Sequence, residues 1–272
     1  MKIKFYGTRG SIPVTEPDFQ VYGGNTSCVA VCFEKGIGIF DAGTGIRNLG
    51  KDLFEKDIES YNNVFLAFSH FHWDHIQGFP FFLPAYDSKK NLEITAIGIT
   101  RNFFDLKSIL ENQMREEFFP VPLETMGANF KYVQDESELR LDEGVKITST
   151  NHYHPGGASS YRVETEGKAV VYTTDVEHGE SIDHRVVEIA QNADLLIHEA
   201  QYTPEELKSK KGWGHSSWEQ AIKVAQTANV KQLVLTHHDP DHDDSFLQKV
   251  EKECKKHFPN VSLAKEGMQI EL

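Results

Sequence analysis

The sequence predicts a layered α/β domain in which sheets pack on each other and helices cover the outer faces. Short apolar β-like runs recur in both halves of the chain, and three longer segments carry a helical apolar stripe. The sequence contains no repeat, low-complexity tract or linker-like stretch, so residues 1–272 read as one domain.

The first runs are "KIKFYG" (2–7), "SCVAVCF" (27–33), "GIGIFDAG" (36–43) and "NVFLAFSH" (63–70). Then come "LEITAIG" (92–98), "KITSTNH" (146–152), "SYRVET" (160–165), "KAVVYTTD" (168–175), "DLLIHEA" (194–200) and "QLVLTHH" (232–238). Several end on Gly, Asp or His directly after the apolar stretch, the pattern of a loop-built site at a sheet edge. In "RNFFDLKSILENQMREEFF" (101–119), Phe103, Leu106, Leu110, Met114 and Phe118 recur three or four apart, predicting a helical insert near 101–130. Its phenylalanines, including Phe104 and Phe119, read with "FPFFLPAY" (79–86) mostly as core or lid packing, with one or two open to stacking on a base. "SSWEQAIKVAQTAN" (216–229) places Trp218, Ile222 and Ala225 on one side behind Ser216 or Ser217 as N-cap. "DSFLQKVEKECKKHF" (244–258) reads as a helix, followed by a last strand in "NVSLAKEGMQIEL".

Hydrophobic residues make up 39% and charged residues 25%, an ordinary soluble composition. No apolar run reaches the length of a membrane span, and "MKIKFYGTRG" lacks a signal-peptide core, so the expectation is a cytoplasmic protein without a membrane partner. Cys28, Cys32 and Cys254 suggest neither a disulfide framework nor a cysteine zinc site. The net charge of -13 argues against long nucleic acid as a partner, because such binding draws on clustered Lys and Arg. The one basic cluster, "KSKKGWG" (208–214), reads as too short to reverse that. A small anion stays compatible, since a local site can differ in sign from the whole molecule.

"SHFHWDH" (69–75) is the segment richest in chemistry. His70 and His72 at i and i+2 point to one side of an extended segment, and Asp74 and His75 can face back toward the same point. Imidazole and carboxylate suit Zn or a similar divalent ion. Four such residues in six positions after an apolar strand outweigh the reading of a merely His-rich surface loop.

His-x-His-x-Asp-His after a hydrophobic strand resembles the signature of the metallo-β-lactamase superfamily. The likeness extends through "IFDAGTGIR" (39–47), "NHYHPGG" (151–157), "VYTTDVEH" (171–178) and "LVLTHHDP" (233–240). It implies a four-layer αβ/βα sandwich with two metals at one rim, Zn first and Mn second. His70, His72 and His154 would hold one ion; Asp74, His75 and His237 would hold the other; Asp175 would bridge them, and Asp41 would be structural. His152 competes with His154, and His238 with His237. His178 and His184 read as surface or supporting residues. Arg9, in the glycine-rich turn "GTRGSIP" (7–13) near the same rim, is open to a phosphate contact, but reads first as an exposed arginine with no specific role.

"LLIHEAQY" (195–202) followed by "GHSSWEQA" (214–221) resembles paired segments of ribonuclease Z and related phosphodiesterases, with Gln201 and Ser217 where those carry Thr. This implies Glu199 and His215 as a leaving-group acid pair and Asp74 as the residue that orients a metal-bridging hydroxide. The main expectation is a hydrolase for a small phosphodiester such as a cyclic nucleotide, with a homodimer compatible. A ribonuclease Z-like nuclease is the alternative, although no Gly/Pro-rich arm of the kind that grips transfer RNA is seen. A thioester or lactone hydrolase on the same metals would have no use for Glu199 and His215. A non-catalytic module would be expected to lose ligands, and a diiron oxidoreductase would need Glu at His72.

Overall fold

The computed structural model describes residues 1–34, 36–55, 61–97, 105–133, 138–141 and 144–272. The first half supplies β1 (Lys2–Gly7), β2 (Cys28–Cys32), β3 (Ile37–Phe40), β4 (Asn63–Ala67), β5 (Asn91–Thr95) and β6 (Asn129–Val133). The second half supplies β7 (Glu138–Leu141), β8 (Val145–His152), β9 (Ala158–Thr165), β10 (Lys168–Thr173), β11 (Leu195–Glu199), β12 (Gln232–Thr236), β13 (Val261–Leu263) and β14 (Gln269–Glu271). The helices are α1 (Ile46–Glu55), α2 (Trp73–Ile76), α3 (Leu106–Gln113), α4 (His184–Ala190), α5 (Pro204–Leu207), α6 (Trp218–Thr227) and α7 (Asp244–His257).

One sheet runs β14-β1-β2-β3-β4-β5-β6 and the other β13-β12-β11-β10-β9-β8-β7. Three apolar clusters mark the three interfaces of a four-layer αβ/βα sandwich. Ile39, Leu66 and Leu92 pack under Ile46, Leu49 and Leu110. Phe5, Val31, Phe40 and Phe65 meet Val163, Val170, Ile197 and Val234 between the sheets. Val171, Leu196 and Leu233 pack under Val186, Ile222 and Leu247. Strand β4 shows why its sequence lacks a period of two. Val64 and Leu66 face the helices while Phe65 and Ala67 face the other sheet, so every position is apolar.

In each sheet one half is antiparallel and the other parallel. β3 through β6 are mutually parallel, as are β10 through β13. The loops after β3, β4, β10, β11 and β12 therefore leave carboxyl ends, where ligands of open α/β sheets bind.

The helical insert is shorter than its apolar pattern implies. α3 begins behind Asp105, whose side chain accepts from Ser108 N at 3.1 Å, and stops at Gln113. Leu106, Leu110 and Met114 are buried, whereas Phe118 is exposed, and Pro120 disfavours helical backbone just before it. Phe103 and Phe104 lie outside the described residues. The single C-terminal strand is in fact two, one at the edge of each sheet, joined across a turn with Gly267 at φ +81°. Ser217, not Ser216, caps α6, closing a reciprocal pair with Gln220.

Arg9 is buried, not exposed. Its Nε donates to Gly23 O at 2.8 Å, and its Nη1 donates to Asp239 O at 2.9 Å and His242 O at 2.8 Å. Burial lowers its pKa to about 10, partly offset by Asp244 and Asp239. It joins the first loop to the one after β12. Arg9→Ala should therefore cost about 3 kcal/mol or more in denaturant unfolding, by orphaning buried carbonyls.

Candidate metal centre

Strand β3 ends on Asp41, held at φ +62°. Its Oδ1 accepts from Ser69 N at 2.7 Å, and its Oδ2 accepts from the Ser69 hydroxyl and the Tyr172 hydroxyl, both at 2.8 Å. The same Oδ2 lies 2.8 Å from His75 Nδ1. Asp41 thus fixes the turn after β4 and makes His75 carry its proton on Nδ1, leaving a lone pair on Nε2. Ser69 Oγ, which donates to Asp41, accepts from His70 Nδ1 at 3.0 Å. His154 Nδ1 donates to Gly214 O at 2.8 Å, and His237 Nδ1 to Gln201 Oε1 at 3.0 Å. Four imidazoles are thereby held with Nε2 as an acceptor.

These lone pairs converge. The ligand atoms of His70, His72, His154 and Asp175 lie within 4.8 Å of one another, as do those of Asp74, His75, Asp175 and His237. His75 Nε2 and His237 Nε2 are 3.3 Å apart, and each is 3.2 Å from Asp74 Oδ2 and 3.2 Å from Asp175 Oδ1. The other oxygen of Asp175, Oδ2, is 3.6 Å from His70 Nε2 and 3.7 Å from His154 Nε2. His154 Nε2 faces His72 Nδ1 at 3.0 Å, and His70 Nε2 is buried without a hydrogen-bond partner. Acceptors that face acceptors in a buried site call for cations, and nitrogen with carboxylate is a donor set for divalent metals.

The charges agree. Burial alone would raise the Asp74 carboxyl, but His75 and His237 hold it far below its usual range. Burial likewise opposes ionisation of Asp175, and His237, His75 and His70 overcome it. His70 is pushed down by burial and by the neighbouring His75.

Both paired alternatives separate in space. His152 Nε2 donates to Thr174 O at 3.0 Å and its Nδ1 lies 3.0 Å from Ser160 Oγ, while His238 Nε2 donates to Ala264 O at 2.9 Å. His184 is exposed, and His178 is buried against the His198 ring; neither joins the two groups.

Glu199 both fixes neighbouring backbone and faces His215. Its carboxylate accepts from Val176 N at 3.1 Å, Ser216 N at 2.6 Å and Gln201 N at 3.0 Å, and it stands 3.7 Å from His215 Nδ1. His215 is not a helix residue, since it precedes the Ser217 cap of α6. Its ring stacks on His237 and meets His154 edge-on. Burial lowers its pKa, but the hydrogen bond to Glu199 and the charges of Asp175 and Glu199 outweigh this and raise it to about 9.

Three contributors were missed from sequence. Ser11 N donates to Asp74 Oδ2 at 2.7 Å, Thr174 Oγ1 donates to Asp175 Oδ1 at 2.6 Å, and Gln201 holds His237. The Gly10–Ser11 turn offered a signal: a Cβ on Gly10 would stand 2.4 Å from the His237 ring.

A sandwich with a His- and Asp-lined rim of this kind defines a class of metal-dependent hydrolases. The model described as "Beta-lactamase superfamily domain" matches residues 39–238, and the chain belongs to that superfamily, in its ribonuclease Z-like branch. Ribonuclease Z of Haloarcula marismortui is 25% identical over 319 aligned residues, covering 99% of this chain and 96% of that one. Ribonuclease Z of Prochlorococcus marinus (strain NATL1A) is 34% identical over 149 residues, 54% of this chain, so the match spans under half (44%) of that relative's length. The crystal structure of human tRNase Z, short form, shares the fold with a TM-score of 0.70 at 21% identity, covering 100% of this chain and 99% of that one.

These relatives overturn the expectation that long nucleic acid is not a partner, since they are named as ribonucleases. Net charge is a property of the whole surface, whereas a polynucleotide meets one rim. Among the described residues no helix is long and apolar enough to cross a membrane.

Asp175→Ala removes the carboxylate common to both groups, and should leave the protein folded with less than half its bound metal by elemental analysis. A second outcome concerns pH. Burial holds His152 at about 4 and His178 and His238 at about 3, against about 6.5 for an unfolded histidine. The unfolded chain takes up these protons first, so their contribution is complete above pH ~6.5 and declines toward pH ~4. Urea unfolding should lose about 1.4 kcal/mol per pH unit for each group in that window. His238→Asn should flatten the slope by one such increment.

Proposed function

We propose that this protein is a metal-dependent phosphodiesterase that cleaves RNA. His70, His72, His154 and Asp175 would hold one divalent ion, and Asp74, His75, His237 and Asp175 the other. The observation that carries this is Asp175, whose two oxygens face the two histidine groups separately. Similarity to ribonuclease Z along 99% of the chain supports RNA as the substrate. Zn is the first choice for so nitrogen-rich a set, with Mn also accepted by it. Bound ions would supply an activated water at neutral pH and neutralise the non-bridging phosphate oxygens.

The remaining work falls to side chains. Asp74, fixed by the Ser11 N–H, orients the attacking water. His215 donates its proton to the departing ribose oxygen, its ring plane set by His237 and its Nδ1 side facing the Glu199 carboxylate. Glu199 also ties the segments carrying Val176, Gln201 and Ser216 into one support.

His215→Ala should keep its metal and lose about 10²- to 10⁴-fold in turnover of a transfer RNA transcript. Bis-p-nitrophenyl phosphate, whose leaving group needs no proton, should suffer far less. Equal losses on both substrates would remove the proton-donor role. Turnover of cyclic or small linear phosphodiesters without any RNA cleavage would return the function to a small-substrate enzyme.

A further inference from the structure

The basic segment that the sequence made look negligible lies against the candidate centre. Lys208, Lys210, Lys211 and Trp213 stand just before Gly214, whose carbonyl accepts from His154, and His215. Glu177 clips the segment in place: its Oε1 accepts from Gly212 N and its Oε2 from Gly214 N, both at 2.8 Å. The backbone N–H of Glu177 in turn donates to Tyr153 O at 2.9 Å. One residue thus joins the loop before His215 to the loop before His154. Gly214, at φ +90°, permits this approach, because a Cβ there would stand 2.3 Å from His154 Nδ1.

What this clip presents is an aromatic and basic surface. Trp213 is 59% exposed and Tyr153 56% exposed. Lys210 Nζ lies 4.0 Å above the Trp213 ring and 5.9 Å from the Tyr202 ring, so it is held over aromatic faces. Lys208 pairs with Glu205, which leaves Lys210 and Lys211 as the cations of interest. Exposed aromatic rings interleaved with lysines are how single strands are bound: bases stack and ammonium groups meet phosphates. A solvated loop serving only solubility does not account for an indole kept in water while the glycines on either side of it donate to Glu177 at the rim.

We infer that Lys210, Lys211 and Trp213 form a subsite for the single-stranded RNA flanking the scissile phosphodiester, with Trp213 stacking on a base and the two lysines meeting adjacent phosphates. This rests on the RNA reading above and adds to it the side chains that would hold the strand beside the cleaved bond. The overall charge of -13 is no obstacle, because only this rim need face the strand.

The test uses the metal-loaded full chain and a transfer RNA transcript with unpaired ends, with kcat and KM measured from low to moderate salt. Metal content and melting temperature report that each variant is intact. Trp213→Ala should raise KM at least about fivefold with kcat within about twofold, and Trp213→Phe should restore most of it, as a stacking platform requires. Lys210→Gln with Lys211→Gln should raise KM and flatten the slope of log KM against log salt by about 1.4, at about 0.7 per phosphate contact on a single strand. Unchanged KM and slope in intact variants of an enzyme that cleaves RNA would overturn the subsite alone. Failure of Trp213→Phe to restore KM would overturn the stacking. A wild-type enzyme that neither binds nor cleaves RNA would remove the substrate reading and the subsite with it.

Discussion

Buried acceptors are crowded at one rim of the sandwich with their protons turned away from each other. Asp41, Ser69, the Gly214 carbonyl and Gln201 each take the Nδ1 proton of one histidine, so the Nε2 atoms of His75, His70, His154 and His237 point inward as lone pairs. Asp74 and Asp175 add carboxylate oxygens to the same space. Such a cluster is repulsive unless positive charge enters it. The outer partners therefore do more than support the ligands; they set the tautomers that give the site its chemistry.

Backbone strain is concentrated in the same place. Asp41, Asp175 and His237 take φ of +62°, +50° and +60°, each just after a strand of the parallel halves. For residues with a Cβ this conformation costs about 1 kcal/mol or more. In each case it lets the chain leave the strand sharply while the side chain stays at the rim, and Asp and His tolerate the region better than branched residues do. The apolar clusters on both faces of the strands hold the ends that carry this strain.

Electrostatics at the rim and over the whole surface point in opposite directions. The net charge is acidic and argues against a polynucleotide partner, an expectation that the ribonuclease Z relatives reverse. Charge acts on a bound strand over roughly a Debye length, about 8 Å at physiological salt, so the residues flanking the centre count for more than the sum. Glu177 illustrates the point: it adds to the negative total, yet its carboxylate is spent on two backbone N–H groups that hold lysines and a tryptophan beside the site.

The sequence by itself determined the strand runs, the helices from 218 and 244, and the motif at 70–75, because apolar patterning and close spacing are local properties of the chain. It left His152 against His154 and His237 against His238 open. Alternation along a strand says which face a residue takes, but not which of two nearby imidazoles has a carbonyl waiting for its proton. It misplaced Arg9, whose partners Asp239 and His242 come from the far end of the chain. It divided the C-terminal run wrongly, since only pairing shows that β13 and β14 edge different sheets. Tertiary structure alone decided the convergence of His154, Asp175 and His237 on the local motif. Their distances are set by how two sheets stack, and no residue's own neighbours in sequence record that.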